Sequence, residues 1–379
     1  MGEAILPLDV RDPDAKAMLD LAARAAFRGT GHVEPNPLVG CVLVRPGAGP
    51  AIERVVGIGH HRKFGGSHAE VEALARCRAL GNDPTGATAY VTLEPCNGYG
   101  KNPPCVKALV EAGVARVVCG AQDDTDGKGG GGAALRAVGI PCEFTDVSRR
   151  ATDLSEPWRH RMNTRLPWVI AKWAQTVDGK LTAAASDGKW ISNERSRVRV
   201  HRIRAGVDAV MVGSGTVSDD DPLLTVRGVP ARRRPARVVV SRTGALSADR
   251  RLLLTAREER TIVLCDVAAE GVLELERAGV VVVREAGSGA GAGWLGRCLA
   301  RLRAEQGVHT LMVEGGGTLL KALLAEGLIN EAHVHVGAKR QGGDVVVAPA
   351  PLITDAERWR VCSVRRVGGD VQSVYRKRV

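Results

Sequence analysis

Apolar residues recur along this chain in two alternating rhythms. Residues 12–28 follow the 3.6-residue spacing of a helix, with Asp at the start. Residues 39–45 form a continuous apolar run into a Pro-Gly turn, the pattern of a buried strand. Helical spacing returns over 68–80, and a strand over 87–93 delivers Glu94-Pro95-Cys96 at its C-terminal end. Pro103-Pro104 makes a good entry to a helix over 105–112. Strands follow at 116–119 and 140–144, with the Gly-rich tract 126–132 expected as a loop between them. Residues 146–165 are polar and charged, with little strand pattern. A second alternating series starts at Trp168, with strands expected at 168–172, 209–212, 236–241, 261–265, 280–283, 310–313 and 331–336. Helices are expected at 194–205, 293–305 and 318–326. No internal repeat joins the two series. The expected layout is an α/β domain over 1–147, a connection over 148–165 and a second α/β domain over 166–379, which suits a length of 379 residues.

Charge changes this picture little. The net charge of +11 suggests a nucleic-acid partner at first sight. Residues 1–148, however, hold 15 Lys and Arg against 17 Asp and Glu by count. The excess lies later, in residues 195–204 and in Arg232-Arg233-Arg234, and reads mainly as a solvated face. No nucleic-acid partner is expected. Residues 1–30 mix acids, proline and bases, so no leader is expected, and no apolar run reaches bilayer length. Nine cysteines follow no disulfide-like framework, which fits a reducing, cytoplasmic compartment. Cys41, Cys77, Cys119 and Cys142 sit in or near apolar runs and read as packed core thiols.

The chemistry-bearing pattern is His68-Ala69-Glu70, then Pro95-Cys96, then Pro104-Cys105. His68, Cys96 and Cys105 can give one nitrogen and two thiolates to a tetrahedral Zn2+, leaving the fourth position for water. Glu70 is not needed as a ligand, so its carboxylate can move protons between water and a leaving amine. This is the zinc-deaminase arrangement. The ligand-bearing segments begin helices, whose N-terminal dipoles favour thiolate over thiol. A closed structural zinc would want a fourth protein ligand, and no Cys or His stands at a suitable spacing.

Eight residues separate the two cysteines instead of the usual two. With Pro35-Asn36-Pro37-Leu38-Val39-Gly40-Cys41, residues 68–74 and residues 91–96 through Cys105, this half resembles the pyrimidine deaminase half of the bifunctional riboflavin-biosynthesis deaminase–reductase family. The second half resembles that family's reductase domain through residues 172–180, Lys189-Trp190-Ile191-Ser192, residues 213–217, residues 220–227 and Glu314-Gly315-Gly316. The resemblance implies a cytidine-deaminase-like three-layer domain followed by a dihydrofolate-reductase-like α/β domain that uses NADPH. It implies hydrolytic deamination of a diamino-(phosphoribosylamino)pyrimidinone, then reduction of its ribose to a ribityl chain. Beside catalytic Glu70, it assigns substrate contacts to Asn36, His61, Lys101, Lys172, Gly188, Arg204, Asp220, Leu224, Arg227 and Glu314. It assigns NADPH contacts to Ala174, Trp190, Ser192, Gly213, Gly215, Thr216, Ser241, Gly315 and Gly316. Physically, glycines let backbone amides approach a pyrophosphate, and an Arg fork binds phosphate bidentately. Arg242 is a further candidate for the NADPH 2′-phosphate. The expected partner is a small pyrimidine ribotide, with no membrane contact, and a homo-oligomer is expected.

Some positions depart from the family pattern. Gly98 stands where a histidine is usual, and residues 124–130 replace a Pro-Asn-Pro loop. Asn330-Glu331 replaces Asp-Glu, Gly337-Ala338 replaces Ala-Pro, and Arg340-Gln341 stands at two Leu positions. These changes motivate an alternative, a two-domain paralogue acting on a related pyrimidine or pterin. A nucleic-acid deaminase, or a zinc-containing binding protein without turnover, is a third reading. The near-neutral first half and the proton-shuttling Glu70 argue against it.

Overall fold

The computed structural model describes residues 12–125, 129–181, 190–231, 233–287, 293–340 and 355–378. The chain divides into two compact units, Met1–Thr164 and Arg165–Val379.

The first unit is built from α1 (Ala15–Ala26), β1 (Gly40–Val44), β2 (Val55–His60), α2 (Ala69–Ala79), β3 (Thr88–Val91), α3 (Cys105–Glu111), β4 (Arg116–Cys119), α4 (Gly131–Ala137), β5 (Cys142–Phe144) and α5 (Arg149–Thr164). The sheet order is β2-β1-β3-β4-β5, antiparallel on its β2 side and parallel from β3 onward. Period-two alternation sorts side chains between the two faces. Cys41, Leu43, Ala89, Val91 and Val117 pack against α2, α3 and α4. Val42, Val44, Tyr90 and Val118 pack against α1 and α5. The result is helix, sheet, helix. Cys41, Cys77, Cys119 and Cys142 are all buried here.

The segment expected as a connection, 148–165, is mostly helix. Its buried Ala151 and Leu154 join the α1 core. The tract 126–132, expected as a loop, gives way to α4 at Gly131. The expected strands did not include β2. Gly57 and Gly59 dilute its apolar rhythm because α2 backbone lies against them: a Cβ at Gly59 would sit 2.2 Å from Ala69 O.

The second unit comprises β6 (Trp168–Gln175), α6 (Glu194–Arg204), β7 (Ala209–Gly213), α7 (Ser214–Asp220), β8 (Ala236–Val240), α8 (Arg251–Leu254), β9 (Thr261–Asp266), α9 (Val272–Arg277), β10 (Val281–Glu285), α10 (Trp294–Gln306), β11 (Thr310–Val313), α11 (Gly317–Ala325), β12 (Glu331–Val336), β13 (Trp359–Val367) and β14 (Asp370–Lys377). Its nine strands lie in the order β10-β9-β8-β7-β11-β6-β12-β14-β13. All neighbours are parallel except at β14, which runs antiparallel to β12 and β13. Helices α10 and α11 bury Leu299, Leu302, Leu320 and Leu323 on one face. Helices α6 to α9 bury Val200, Val217, Leu252 and Leu275 on the other. The β13–β14 hairpin and the short helices α7, α8 and α9 were not expected. The hairpin's β13 is an exposed edge rich in Arg, with little apolar alternation to mark it. No helix among the described residues is long and apolar enough to cross a membrane.

This order creates a crevice. Strands β7 and β11 are parallel neighbours, yet the chain leaves β7 toward β8 and leaves β11 toward β12, on opposite sides. Such a switch point opens a cleft at the C-terminal ends of the two strands.

Candidate active sites

In the first unit, His68 takes an extended backbone conformation as the N-cap of α2, and Cys105 opens α3. Cys96 follows β3, and the Cys105 backbone N–H donates to its Sγ at 3.4 Å. His68 Nδ1 lies 3.2 Å from Cys105 Sγ and 3.5 Å from Cys96 Sγ. All three ligand atoms fall within 4.8 Å of one another, and they form such a cluster among the described residues. A tetrahedral zinc with ordinary Zn–S and Zn–N bonds needs nitrogen–sulfur edges of about 3.6 Å. The donor set therefore fits zinc in both chemistry and spacing. The Cys96 thiol is held down to about 4, first by its hydrogen bond with Cys105, while the same pairing pushes Cys105 up.

Glu70 lies in the first turn of α2, only 3% exposed. Burial, then the charge of Cys96, raises its carboxyl from 4.5 to about 7. A carboxyl poised there can both take and return a proton near neutrality.

The expected substrate contacts differ in how free they are. His61 is 3% exposed, and both of its ring nitrogens are engaged: Nδ1 with Ser67 O at 2.9 Å and Nε2 with Asn36 Nδ2 at 3.2 Å. Its ring meets His68 edge-on, with centroids 5.4 Å apart. His61 therefore contacts Asn36 and packs edge-on against His68. Lys101 is exposed, with Nζ 4.0 Å from the Phe64 ring centroid. Next to it, Asn102 Nδ2 donates to Gly66 O at 2.8 Å, fastening the inter-cysteine loop to residues 63–66.

Two supporting residues escaped the sequence reading. Buried Glu94 accepts from Asp123 N–H at 2.9 Å and Gly132 N–H at 2.7 Å. Gly131 lies so close to the cysteine segment that a Cβ there would sit 1.8 Å from Pro95 O. The signals were present, an acid directly before Pro-Cys and consecutive glycines opening a helix, but only the fold brings them together.

The second unit's cleft has a volume of about 1350 Å³, above the roughly 300–1,000 Å³ of a typical one-ligand pocket. It has room for both a substrate and a dinucleotide. Every described member of the expected cofactor set lines it: Ala174, Trp190, Ser192, Gly213, Gly215, Thr216, Ser241, Gly315 and Gly316. Lys172, Arg204, Asp220, Arg227, Arg242 and Glu314 line it too. Gly188 lies outside the described residues. A Cβ at Gly215 would meet nothing within 4 Å, and one at Gly316 only Thr216 Oγ1 at 3.7 Å. Their lack of a side chain leaves an open cradle between two helix starts, as NADPH phosphates require.

Two of the expected contacts are engaged within the protein itself. Arg204 is not a free phosphate fork. Its Nε and Nη2 donate to the two Glu314 carboxylate oxygens at 2.5 and 2.9 Å, and its Nη1 donates to Thr225 O at 2.9 Å. Glu314 is held below its ordinary range: burial opposes ionisation, but Arg204 overrides it. Leu224 is 2% exposed and belongs to the core facing α6 to α9, not to the cleft lining. Arg227 remains as an exposed cation on the cleft. Burial pushes the Lys172 ammonium down in pKa, against the pull of Glu314. His201, which the sequence reading did not single out, also lines the cleft.

Comparison with known proteins finds a match for each unit. A family model described as the cytidine and deoxycytidylate deaminase zinc-binding region matches residues 13–121, and one described as the RibD C-terminal domain matches residues 167–373. The chain is 34% identical to the riboflavin biosynthesis protein RibD of Aquifex aeolicus, over 97% of this chain and 99% of that one. It is 35% identical to RibD of Mycobacterium tuberculosis H37Rv, covering 93% and 94%. Among solved structures, the Thermotoga maritima diaminohydroxyphosphoribosylaminopyrimidine deaminase/5-amino-6-(5-phosphoribosylamino)uracil reductase superposes with a TM-score of 0.78 at 30% identity, covering 96% and 99%. Similarity along nearly the whole chain, with both sites in place, makes this chain a member of the bifunctional riboflavin-biosynthesis RibD family.

Proposed function

We propose that the chain carries out two consecutive steps on one pyrimidine ribotide. The first unit hydrolyses the 2-amino group of 2,5-diamino-6-(5-phosphoribosylamino)pyrimidin-4-one. The second reduces the ribose of the resulting 5-amino-6-(5-phosphoribosylamino)uracil to the ribitylamino product. The observation that carries the reading is a three-ligand cluster with a buried, non-ligating Glu70, on the same chain as a cleft roomy enough for NADPH and a second ligand. It favours the riboflavin precursors over a related pyrimidine or pterin, because the relatives match both halves together.

His68 Nδ1, Cys96 Sγ and Cys105 Sγ would hold zinc, which when bound would supply the Lewis acidity that makes water an effective nucleophile near neutral pH. Glu70 takes the proton of the attacking water on its carboxylate and returns it to the departing amine, which leaves as ammonia. Asn36 and Lys101 hold the ribotide, and His61 keeps Asn36 in place. In the second unit Gly213, Gly215, Gly315 and Gly316 would hold NADPH, which when bound would supply the hydride for the open-chain sugar. Lys172 delivers the balancing proton, Arg227 grips the phosphate, and Asp220 contacts the substrate. The Arg204–Glu314 pair holds the cleft wall beside Lys172. Free thiols throughout the nine cysteines support a reducing, cytoplasmic setting. Exposed Val361 and Val364 on edge strand β13 support a homo-oligomer, which sedimentation can test.

The deciding experiment is rescue of a riboflavin auxotroph lacking both activities, with ammonia release and NADPH oxidation measured on the purified chain. Failure to rescue, together with turnover of another pyrimidine or a pterin, would overturn the reading.

A further inference from the structure

Residues 221–227 run beside the second cleft without regular secondary structure, yet four contacts pin them. Asp221 accepts from the Arg251 N–H at 2.9 Å. Leu224 is buried, with a left-handed φ of 54°. Arg204 Nη1 donates to Thr225 O at 2.9 Å, and the Arg227 N–H donates to His201 Nδ1 at 3.2 Å. His201 and Arg204 are three residues apart on α6, so they present one face to this strap.

The His201 contact is conditional. An N–H donor meets Nδ1, so the ring carries its proton on Nε2 and is neutral. A second proton, on Nδ1, would remove the acceptor. We propose that His201 is a positioning residue for the reductase step, its neutral Nδ1 latching the Arg227 backbone and thereby setting where the Arg227 guanidinium meets the substrate phosphate. The inference rests on the proposed phosphate role of Arg227.

The charged groups facing His201 come from every element packed around it. Arg204 lies on its own helix, Arg227 on the strap, Lys172 on β6 and Glu314 at the end of β11. Burial first, then Arg204 and Arg227, hold the imidazole below its ordinary 6.5, with Lys172 adding to them and Glu314 opposing. The latch is therefore closed above pH 6.5 and opens as pH falls through the lowered value.

The test uses the full chain with NADPH and 5-amino-6-(5-phosphoribosylamino)uracil. In His201→Asn, an acceptor Oδ1 replaces Nδ1 and does not titrate. In His201→Leu the acceptor is lost. Above pH 7, His201→Asn should keep the substrate KM within about twofold, while His201→Leu raises it about fivefold, the scale of one hydrogen bond. NADPH affinity should not move in either. Below pH 6.5 the wild-type KM should climb relative to His201→Asn. The substrate phosphate titrates nearby but affects both proteins alike, so the ratio of the two KM values is the readout. A ratio that stays constant while the His201 ring itself titrates, followed by NMR over the same pH series, or a His201→Leu KM equal to wild type, overturns the latch. If His201→Leu does not fold, the pH ratio alone decides. Arg227→Ala separates the two layers of argument. If it leaves KM unchanged, the phosphate role of Arg227 fails. If it raises KM while His201→Leu does not, the latch alone fails.

Discussion

Gly131→Ala tests whether the metal centre depends on backbone packing away from its ligands. An added Cβ would lie 1.8 Å from Pro95 O, where real Cβ atoms essentially never come closer than 3.0 Å. The two segments must therefore separate by about 1.2 Å. Pro95 precedes the ligand Cys96, and a zinc site tolerates only about 0.2 Å of error in its bond lengths. The forced movement exceeds that tolerance several-fold, and the obstructing atom is backbone, so no side-chain rotation relieves it. Overpacking of this kind costs about 1–3 kcal/mol, which in a domain of this size lowers Tm by roughly 2–12 °C. Zinc content per chain, the melting temperature and ammonia release should all fall. NADPH-dependent reduction of pre-deaminated substrate should persist, because Gly131 belongs to the first unit. A Gly131→Ala protein with a full complement of zinc and unchanged deamination would refute the reasoning.

Cys96→Ser should lose or greatly weaken zinc binding, and full metal retention by elemental analysis would exclude Cys96 as a ligand. Glu70→Gln should keep zinc but slow deamination by at least about a hundredfold, with reduction intact. Near-normal ammonia release, or loss of both steps, would remove its assigned role. Glu314→Gln leaves the Arg204 guanidinium short of its buried counter-charge and should destabilise the second unit by about 3 kcal/mol, read by denaturant unfolding; an unchanged midpoint would deny the pair its structural role. Glu331 is bound by Arg376 at 2.8 Å and by His333 at 2.5 Å. Burial opposes its ionisation, but Arg376 and His333 bring its carboxyl from 4.5 to about 2. Its stabilisation is therefore complete above pH 4.5 and lost as pH falls through about 2. Glu331→Gln should lower Tm at pH 7 and make little difference near pH 2, and an equal loss at both would contradict the linkage.

Much of the first site was legible because its chemistry is local. His68 and Glu70 open one helix, Cys96 follows a strand, and Cys105 follows two prolines, so each position was anchored to a pattern. The reductase cleft was legible mainly as short motifs, and its electrostatics were not. Nothing in the sequence shows that Arg204 and Glu314, 110 positions apart, neutralise each other. The charge type at each position suggested a ligand contact where the fold makes an internal pair. The burial of Leu224 was hidden as well: it lies between cleft residues in sequence, with a left-handed φ of 54° and its side chain in the core. His201 was hidden in a run of arginines, where its neighbours argued for a solvated face. The β13–β14 hairpin lacked signal because edge position and exposure remove the alternation that marks a strand.

Of the two cysteines in the cluster, Cys96 lies in the segment after β3, packed against Gly131, and Cys105 opens α3. The eight residues between them are fastened differently, through Asn102 to Gly66 and through Lys101 over Phe64. The His-Cys-Cys cluster and the loop between its cysteines thus hang on separate supports. Gly98, where the family pattern has a histidine, makes none of the contacts that brace the cluster. Such a division marks residues 97–104 as the place to graft when retargeting this centre to another amino-heterocycle.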